Sequence, residues 1–215
     1  MIGNKLEQSI IGVFQDDLSS TYSINEISKT LNKAYPYINK KTNFFLKEDI
    51  IKKISVGKSY RCFLNLSNEK TKIFMSMNEI NKKESFLQKN SDFKPIVEEI
   101  SFILSASSVS HDILAIVLHK KNLLFVVNNI NVKEQILSMS ALSYLNNYHP
   151  IFLSKKSFQE YFINTLVFKS RFNEYIVFSK IDSYIDIISE INNKLLLKGL
   201  TANDLAYNLR SDNET

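Results

Sequence analysis

Residues 54–65, Ile54-Ser55-Val56-Gly57-Lys58-Ser59-Tyr60-Arg61-Cys62-Phe63-Leu64-Asn65, contain the triplet Gly-Lys-Ser that closes a phosphate-binding loop. Such a loop needs a second glycine five residues earlier, so that several backbone N–H groups converge on the phosphates. That position is Lys52. The loop must also pass from a buried strand into a helix, whereas SYRCFLNL is an alternating run rich in strand formers. The stretch is therefore predicted to be a β-hairpin, with IIKKISV and SYRCFLNL as its arms and Gly57-Lys58-Ser59 as its tip.

Three helices are predicted ahead of the hairpin. LEQSIIGVFQDDL (6–18) carries Leu6, Ile10, Val13, Phe14 and Leu18 on one face. Ser23-Ile24-Asn25-Glu26 fits a capping box that opens a short helix ending near Asn32, with Ile24, Ile27 and Leu31 inward. Pro36 suits the first turn of a third helix, in which Ile38, Thr42, Phe45 and Leu46 share a face. Tyr37, Lys40, Asn43 and Lys47 point the other way, with Asn39 and Lys41 on the flanks.

The charge follows this division. The chain of 215 residues has a net charge of +5, but residues 1–90 hold 15 Lys/Arg against 9 Asp/Glu, and residues 91–215 hold 12 against 13. Between 29 and 61, nine basic residues face two acidic ones, Glu48 and Asp49. A basic segment of this kind is a face for a polyanion or a solvated lysine-rich surface. No run approaches the ~18 apolar residues of a membrane span, and MIGNKLEQSI lacks the order of a signal peptide, so a cytoplasmic protein without membrane partners is expected. The single cysteine, Cys62, is read as a small buried hydrophobe. His111, His119 and His149 have no partners at metal-ligand spacing, so neither a metal nor a cofactor is expected.

Helix, short helix, turn, helix and basic hairpin follow one another in SINEISKTLNKAYPYINKKTNFFLKEDIIKKISVGKSYRCFLNLSN. This run resembles the winged helix-turn-helix DNA-binding domain of prokaryotic, especially archaeal, transcriptional regulators. In that family a recognition helix ends in a Leu-x-x-x-x-Ile/Val segment, and a Gly-Lys/Arg-x-x-Tyr wing returns to a Leu-Asn ending. Leu46 to Ile51, Gly57-Lys58 and Leu64-Asn65 match these features, and Tyr60 stands one residue nearer the lysine than in the family's wing, over about a third of the chain. The resemblance implies double-stranded DNA as the partner. Tyr37, Asn39, Lys40, Lys41 and Asn43 would enter the groove, and Lys58 and Arg61 would act on the wing. Winged helices also dock proteins, which leaves an interaction module as an alternative.

Beyond the hairpin, NEKTKIFMSMNEINKKESFLQKN (68–90) is predicted to be a long helix bearing Ile73, Phe74, Met77, Ile80 and Phe86, a seam for a homodimer or a core stripe. A soft boundary falls at KNSDFKP, 89–95. The chain then reads as helix PIVEEISFILSASSVSH, strands ILAIVLH and LLFVVNNI, helix KEQILSMSALSYLNN, strand HPIFLS, helix KSFQEYFINTLVFKSRF, strand EYIVFS and helix IDSYIDIISEINNKLLLKGL. This alternation predicts an α/β layer structure. The apolar framework resembles, more distantly, a small prokaryotic nucleotidyltransferase domain, over some 85 residues. The catalytic parts of that family are missing. No glycine occurs between Gly57 and Gly199, and Lys120, Lys121 and Asn122 stand where an Asp-x-Asp would hold Mg²⁺. The expected arrangement is thus an α+β / α/β chain with a winged-helix domain at 1–76, a linker or dimerisation helix at 77–91 and a degenerate nucleotidyltransferase-like domain at 92–215. Its expected role is a DNA-binding regulator with no catalytic residues. The enzymatic alternative is a nucleotidyltransferase-related protein using Asp112 with Asp182 or Asp186.

Overall fold

The computed structural model describes residues 4–139, 148–167 and 174–191. The chain is a mixed α+β protein with helices and two small sheets, divided into two compact units between Met75 and Ser76; the second unit runs to Ile188. The C-terminal portions of the helices predicted over 133–147, 156–172 and 181–200 lie outside the described residues.

In the first unit, α1 (Lys5–Gln15) begins at a capping box that pairs Asn4 with Glu7, and α2 (Ile24–Thr30) at one that pairs Ser23 with Glu26. Each box satisfies two of the backbone N–H groups that a helix start leaves open. The third helix, α3 (Tyr35–Lys47), has Pro36 in its first turn, where the missing N–H costs nothing. Strands β1 (Ile51–Val56) and β2 (Ser59–Leu64) pair antiparallel, Ile51 with Leu64 through Val56 with Ser59. Their two-residue turn places Gly57 at φ 60°, a conformation that glycine adopts without a Cβ penalty. Tyr22 adds a bridge to Cys62 through two backbone hydrogen bonds of 2.9 and 2.7 Å. Ile10, Ile11, Phe14, Ile27, Ile38, Phe45, Ile54 and Cys62 are buried between the helices and the hairpin. Burial pushes the Cys62 thiol up to about 11, so it stays protonated and inert near neutral pH, as its reading as a hydrophobe requires.

Helix α4 (Glu69–Lys89) crosses the division between the units. In the second unit the helix predicted over 95–111 is broken: α5 (Lys94–Ser105) ends where Ala106 turns extended, and a four-residue α6 (Ser107–Ser110) follows. The sheet comprises β3 (Ile113–His119), β4 (Asn122–Val127), β5 (His149–Ser154) and β6 (Tyr175–Ser179) in the order β5-β4-β3-β6. Only β4 and β5 are parallel, joined through α7 (Val132–Met139); β3 is antiparallel to both of its neighbours. The layered α/β expectation is corrected to this mixed sheet. The physical reason is the Lys120-Lys121 turn: with Lys120 at φ 58°, β3 reverses directly into β4 with no room for a crossover helix. Both strands are nonetheless almost wholly buried, because α8 (Lys155–Val167) and α9 (Ile181–Ser189) join α5 and α7 in the unit. Phe93 lies at the core's centre, stacked on Phe178 at 4.9 Å with Phe86 edge-on at 5.2 Å.

Candidate nucleic-acid interface

The outer face of α3 is held outward by what its inner face buries. Ile38, Thr42 and Phe45 are completely buried, and Phe45 packs edge-on against Phe74 at 5.6 Å. The helical period then leaves Tyr37, Lys40, Phe44 and Lys47 along one exposed stripe, with Asn43 beside it and Asn39 half-buried. Tyr37 is 70% exposed and Phe44 46%. Asn39 and Asn43 lie one turn apart, and Asn43 Nδ2 donates to Asn39 Oδ1 at 3.1 Å.

The hairpin is locked to this helix. Asp49 takes a left-handed conformation (φ 55°) between α3 and β1, and Asn65 Nδ2 donates both to its carbonyl at 2.9 Å and to its carboxylate at 2.8 Å. Thr71 Oγ1 donates to Ile50 O at 3.0 Å, and Lys70 pairs with Glu48. Asn43, Leu46, Lys47, Asp49, Ile51, Lys52 and Lys53 consequently line an open groove between α3 and β1. Lys58 stands exposed at the hairpin tip, and Lys53 lies 5.6 Å over the Tyr60 ring, a cation–π contact. Phe44, Lys47, Lys52 and Lys53 thus join the face although they are not among the sequence-predicted contacts. The lysine spacing signals the last three; the helical period that turns Phe45 inward signals Phe44.

Two predicted contacts are occupied within the chain. Lys41 donates to Glu7 Oε1 at 2.6 Å, joining α3 to the start of α1. Arg61 donates through Nε to Thr21 Oγ1 at 2.9 Å and through Nη2 to Thr21 O at 2.6 Å, and it pairs with Glu26 at 3.0 Å. Its guanidinium ties β2 to α2 and does not project from the hairpin. Tyr37, Lys40 and Asn43 are exposed on α3 with Asn39 half-buried beside them, Lys58 is exposed at the hairpin tip, and of the five only Asn43 lines the groove.

These ion pairs have a pH signature. Burial acts to raise the carboxyl of Glu7, but the hydrogen bonds from Lys41 and from the Asn4 N–H outweigh it and hold the group below its ordinary value of 4.5. Glu26 is likewise held low: desolvation is outweighed by its Ser23 capping bonds and Arg61. A carboxyl with a depressed folded pKa stabilises the fold above its unfolded value, and that stabilisation is lost as pH falls through the folded one. Stability measured by denaturant should therefore be level above pH ~5 and fall steadily below about 4.5. The double variant Glu7→Gln/Glu26→Gln should be less stable at pH 7 and should show a shallower acid decline.

Among the described residues the second unit gathers no comparable chemistry. Asp182 and Asp186 lie exposed one turn apart on α9, and Asp182 Oδ1 accepts from Ser76 Oγ at 2.9 Å. Among the described residues no group of three His, Cys, Asp or Glu side chains is placed to hold a metal ion. His111 Nδ1 donates to the Ser107 carbonyl at 3.0 Å, which engages backbone rather than a serine hydroxyl. His119, which sequence reading leaves without a role, is buried at the end of β3, 2.7 Å from Tyr161 Oη and stacked on Tyr175 at 4.3 Å. Desolvation holds it below its ordinary pKa, so it is a neutral packing element. No helix among the described residues is long and apolar enough to cross a membrane.

Known protein families, curated proteins and solved structures offer no match to this chain. The functional reading therefore rests on the residues themselves.

Proposed function

We propose that residues 1–76 form a winged helix-turn-helix domain that binds double-stranded DNA, and that the chain acts as a cytoplasmic transcriptional regulator. In this reading α3 enters the major groove, and the β1–β2 hairpin is the wing that meets the adjacent backbone. One observation carries it: Lys47, Lys52 and Lys53 line one groove between α3 and β1, Lys40 is exposed on the same helix and Lys58 at the hairpin tip, and among the described residues none of the five is in an ion pair. Unpaired lysines at that density repel one another, and a polyanion relieves the repulsion. Five phosphate contacts correspond to a salt slope of roughly −4 to −5 in log K against log [salt]. Anisotropy of a labelled duplex titrated from low to moderate salt reads that slope. A flat dependence, or no binding at low salt, rejects the proposal.

The regulator is proposed to act as a homodimer, since one winged helix covers only ~600–1,000 Å² of DNA contact and gains specificity by two-fold repetition. Phe74 and Phe86 of the expected seam are spent on the chain's own packing, against Phe45 and against Phe93. On α4, Met77 remains half-buried, and Ile80 is 43% exposed. Light scattering should report about twice the 24.9 kDa chain mass, and Met77→Glu should return it toward the monomer. The unit from Ser76 to Ile188 is proposed as a non-catalytic dimerisation or sensing domain related to nucleotidyltransferases. Its support is the apolar strand framework together with Lys120, Lys121 and Asn122 at the entry to β4.

A further inference from the structure

We infer that the α3 face selects A·T-rich duplex by reading the major groove, an inference that rests on the DNA-binding proposal above. The amide pair of the helix is Asn43, which is exposed, and Asn39, which is half-buried. Because Asn43 Nδ2 is committed to Asn39 Oδ1, Asn43 Oδ1 and Asn39 Nδ2 are left as an acceptor beside a donor. Adenine shows the complementary pattern in the major groove, an N6 donor beside the N7 acceptor, and asparagine is the side chain that pairs with it most directly.

The aromatic part of the face points the same way. Tyr37 and Phe44 lie two turns apart on the exposed stripe, and Phe44 keeps nearly half its surface in water although its neighbour Phe45 is fully buried. An apolar ring edge at that place meets the thymine C5-methyl, the one apolar group on the major-groove floor. Residues 35–47, YPYINKKTNFFLK, contain no Arg, Gln, Asp or Glu, so the bidentate arginine reader of guanine and the carboxylate reader of cytosine are both lacking. Lysine can also meet guanine, so the discrimination comes from the asparagine pair and the methyl contacts and not from exclusion of guanine.

Three duplexes of equal length at one salt concentration test this: A·T-rich, G·C-rich, and one with inosine·cytosine pairs. Inosine·cytosine presents the minor groove of A·T and the major groove of G·C, because it lacks the guanine 2-amino group. Binding to the A·T duplex should be tighter than to either of the others by on the order of tenfold or more. Asn39→Ala/Asn43→Ala should bring A·T affinity down toward the G·C level, lowering it by a larger factor than G·C affinity. Deoxyuridine in place of thymidine should weaken the wild-type protein severalfold and Phe44→Ala less. Equal affinity for A·T and G·C overturns the inference, and so does inosine·cytosine binding as tightly as A·T, which would assign the preference to the minor groove. Failure to bind any duplex at low salt removes the DNA-binding proposal itself, and this inference with it.

Discussion

Changing Lys40 and Lys47 together to glutamate is expected to weaken duplex binding by about a hundredfold or more near 0.1 M salt and to reduce the salt slope by about two. Each lysine in contact with a phosphate releases close to one counterion, which near 0.1 M corresponds to roughly a factor of ten per contact; a reversed charge adds repulsion. Both side chains are exposed on one stripe of α3, and neither is in an ion pair, so the fold should lose no more than ~0.5 kcal/mol. Lys41→Glu is the informative contrast. It sets a carboxylate against Glu7, whose side chain is only 12% exposed, and removes the link between α1 and α3. Its effect should be a loss of roughly 1–2 kcal/mol in stability, with a smaller effect on the salt slope. Anisotropy and denaturant titration on the same samples separate the two outcomes, and an equal loss of affinity from Lys41→Glu without a stability change would reverse the roles assigned to these neighbours.

Phe45→Ala should be the most damaging single change in the first unit. The ring is fully buried, touches Phe74 edge-on at 5.6 Å, and is the contact that turns the opposite face of α3 outward. Truncation of a core phenylalanine costs about 3–5 kcal/mol through lost transfer energy and the cavity left behind. That is a large share of the 5–15 kcal/mol available to a typical domain. Calorimetry should show the melting temperature of this unit falling by ~12 °C or more. DNA affinity should fall with it even though Phe45 touches no solvent. Phe44→Ala, one residue away and exposed, should leave the melting temperature nearly unchanged.

The pair shows where sequence reading works and where it stops. Periodicity placed Ile38, Thr42, Phe45 and Leu46 on the inner face; the first three are buried, and Leu46 is half-buried at the groove. The Ser23 to Glu26 capping box is present with both hydrogen bonds, because its chemistry is local and needs nothing from the rest of the chain. Gly57 between alternating arms likewise announces a hairpin turn. The intrachain pairing of Arg61 and Lys41 is not legible in the sequence, for one shared reason. Their partners, Thr21 with Glu26 and Glu7, lie far away in sequence, so nothing local tells a solvent-facing cation from a satisfied one. In the second unit ILAIVLH and LLFVVNNI are legible as consecutive strands, but their antiparallel reversal at Lys120 is not, since a lysine at positive φ carries no compositional mark of a tight turn. The triplet Gly57-Lys58-Ser59 is the opposite case, a motif whose letters point to phosphate while its strand context decides for a hairpin.

The proposal that DNA lies against α3 and the hairpin is tested most directly by lysine acetylation, read residue by residue in the full-length protein with and without duplex. Lys40, Lys47, Lys52, Lys53 and Lys58 are exposed, as are Lys94, Lys120, Lys121 and Lys133 of the second unit, so all nine react in the free protein. Duplex DNA at low salt should protect the first five severalfold and leave the other four at their free rates. Uniform rates in both sets, or protection confined to the second unit, would contradict the account.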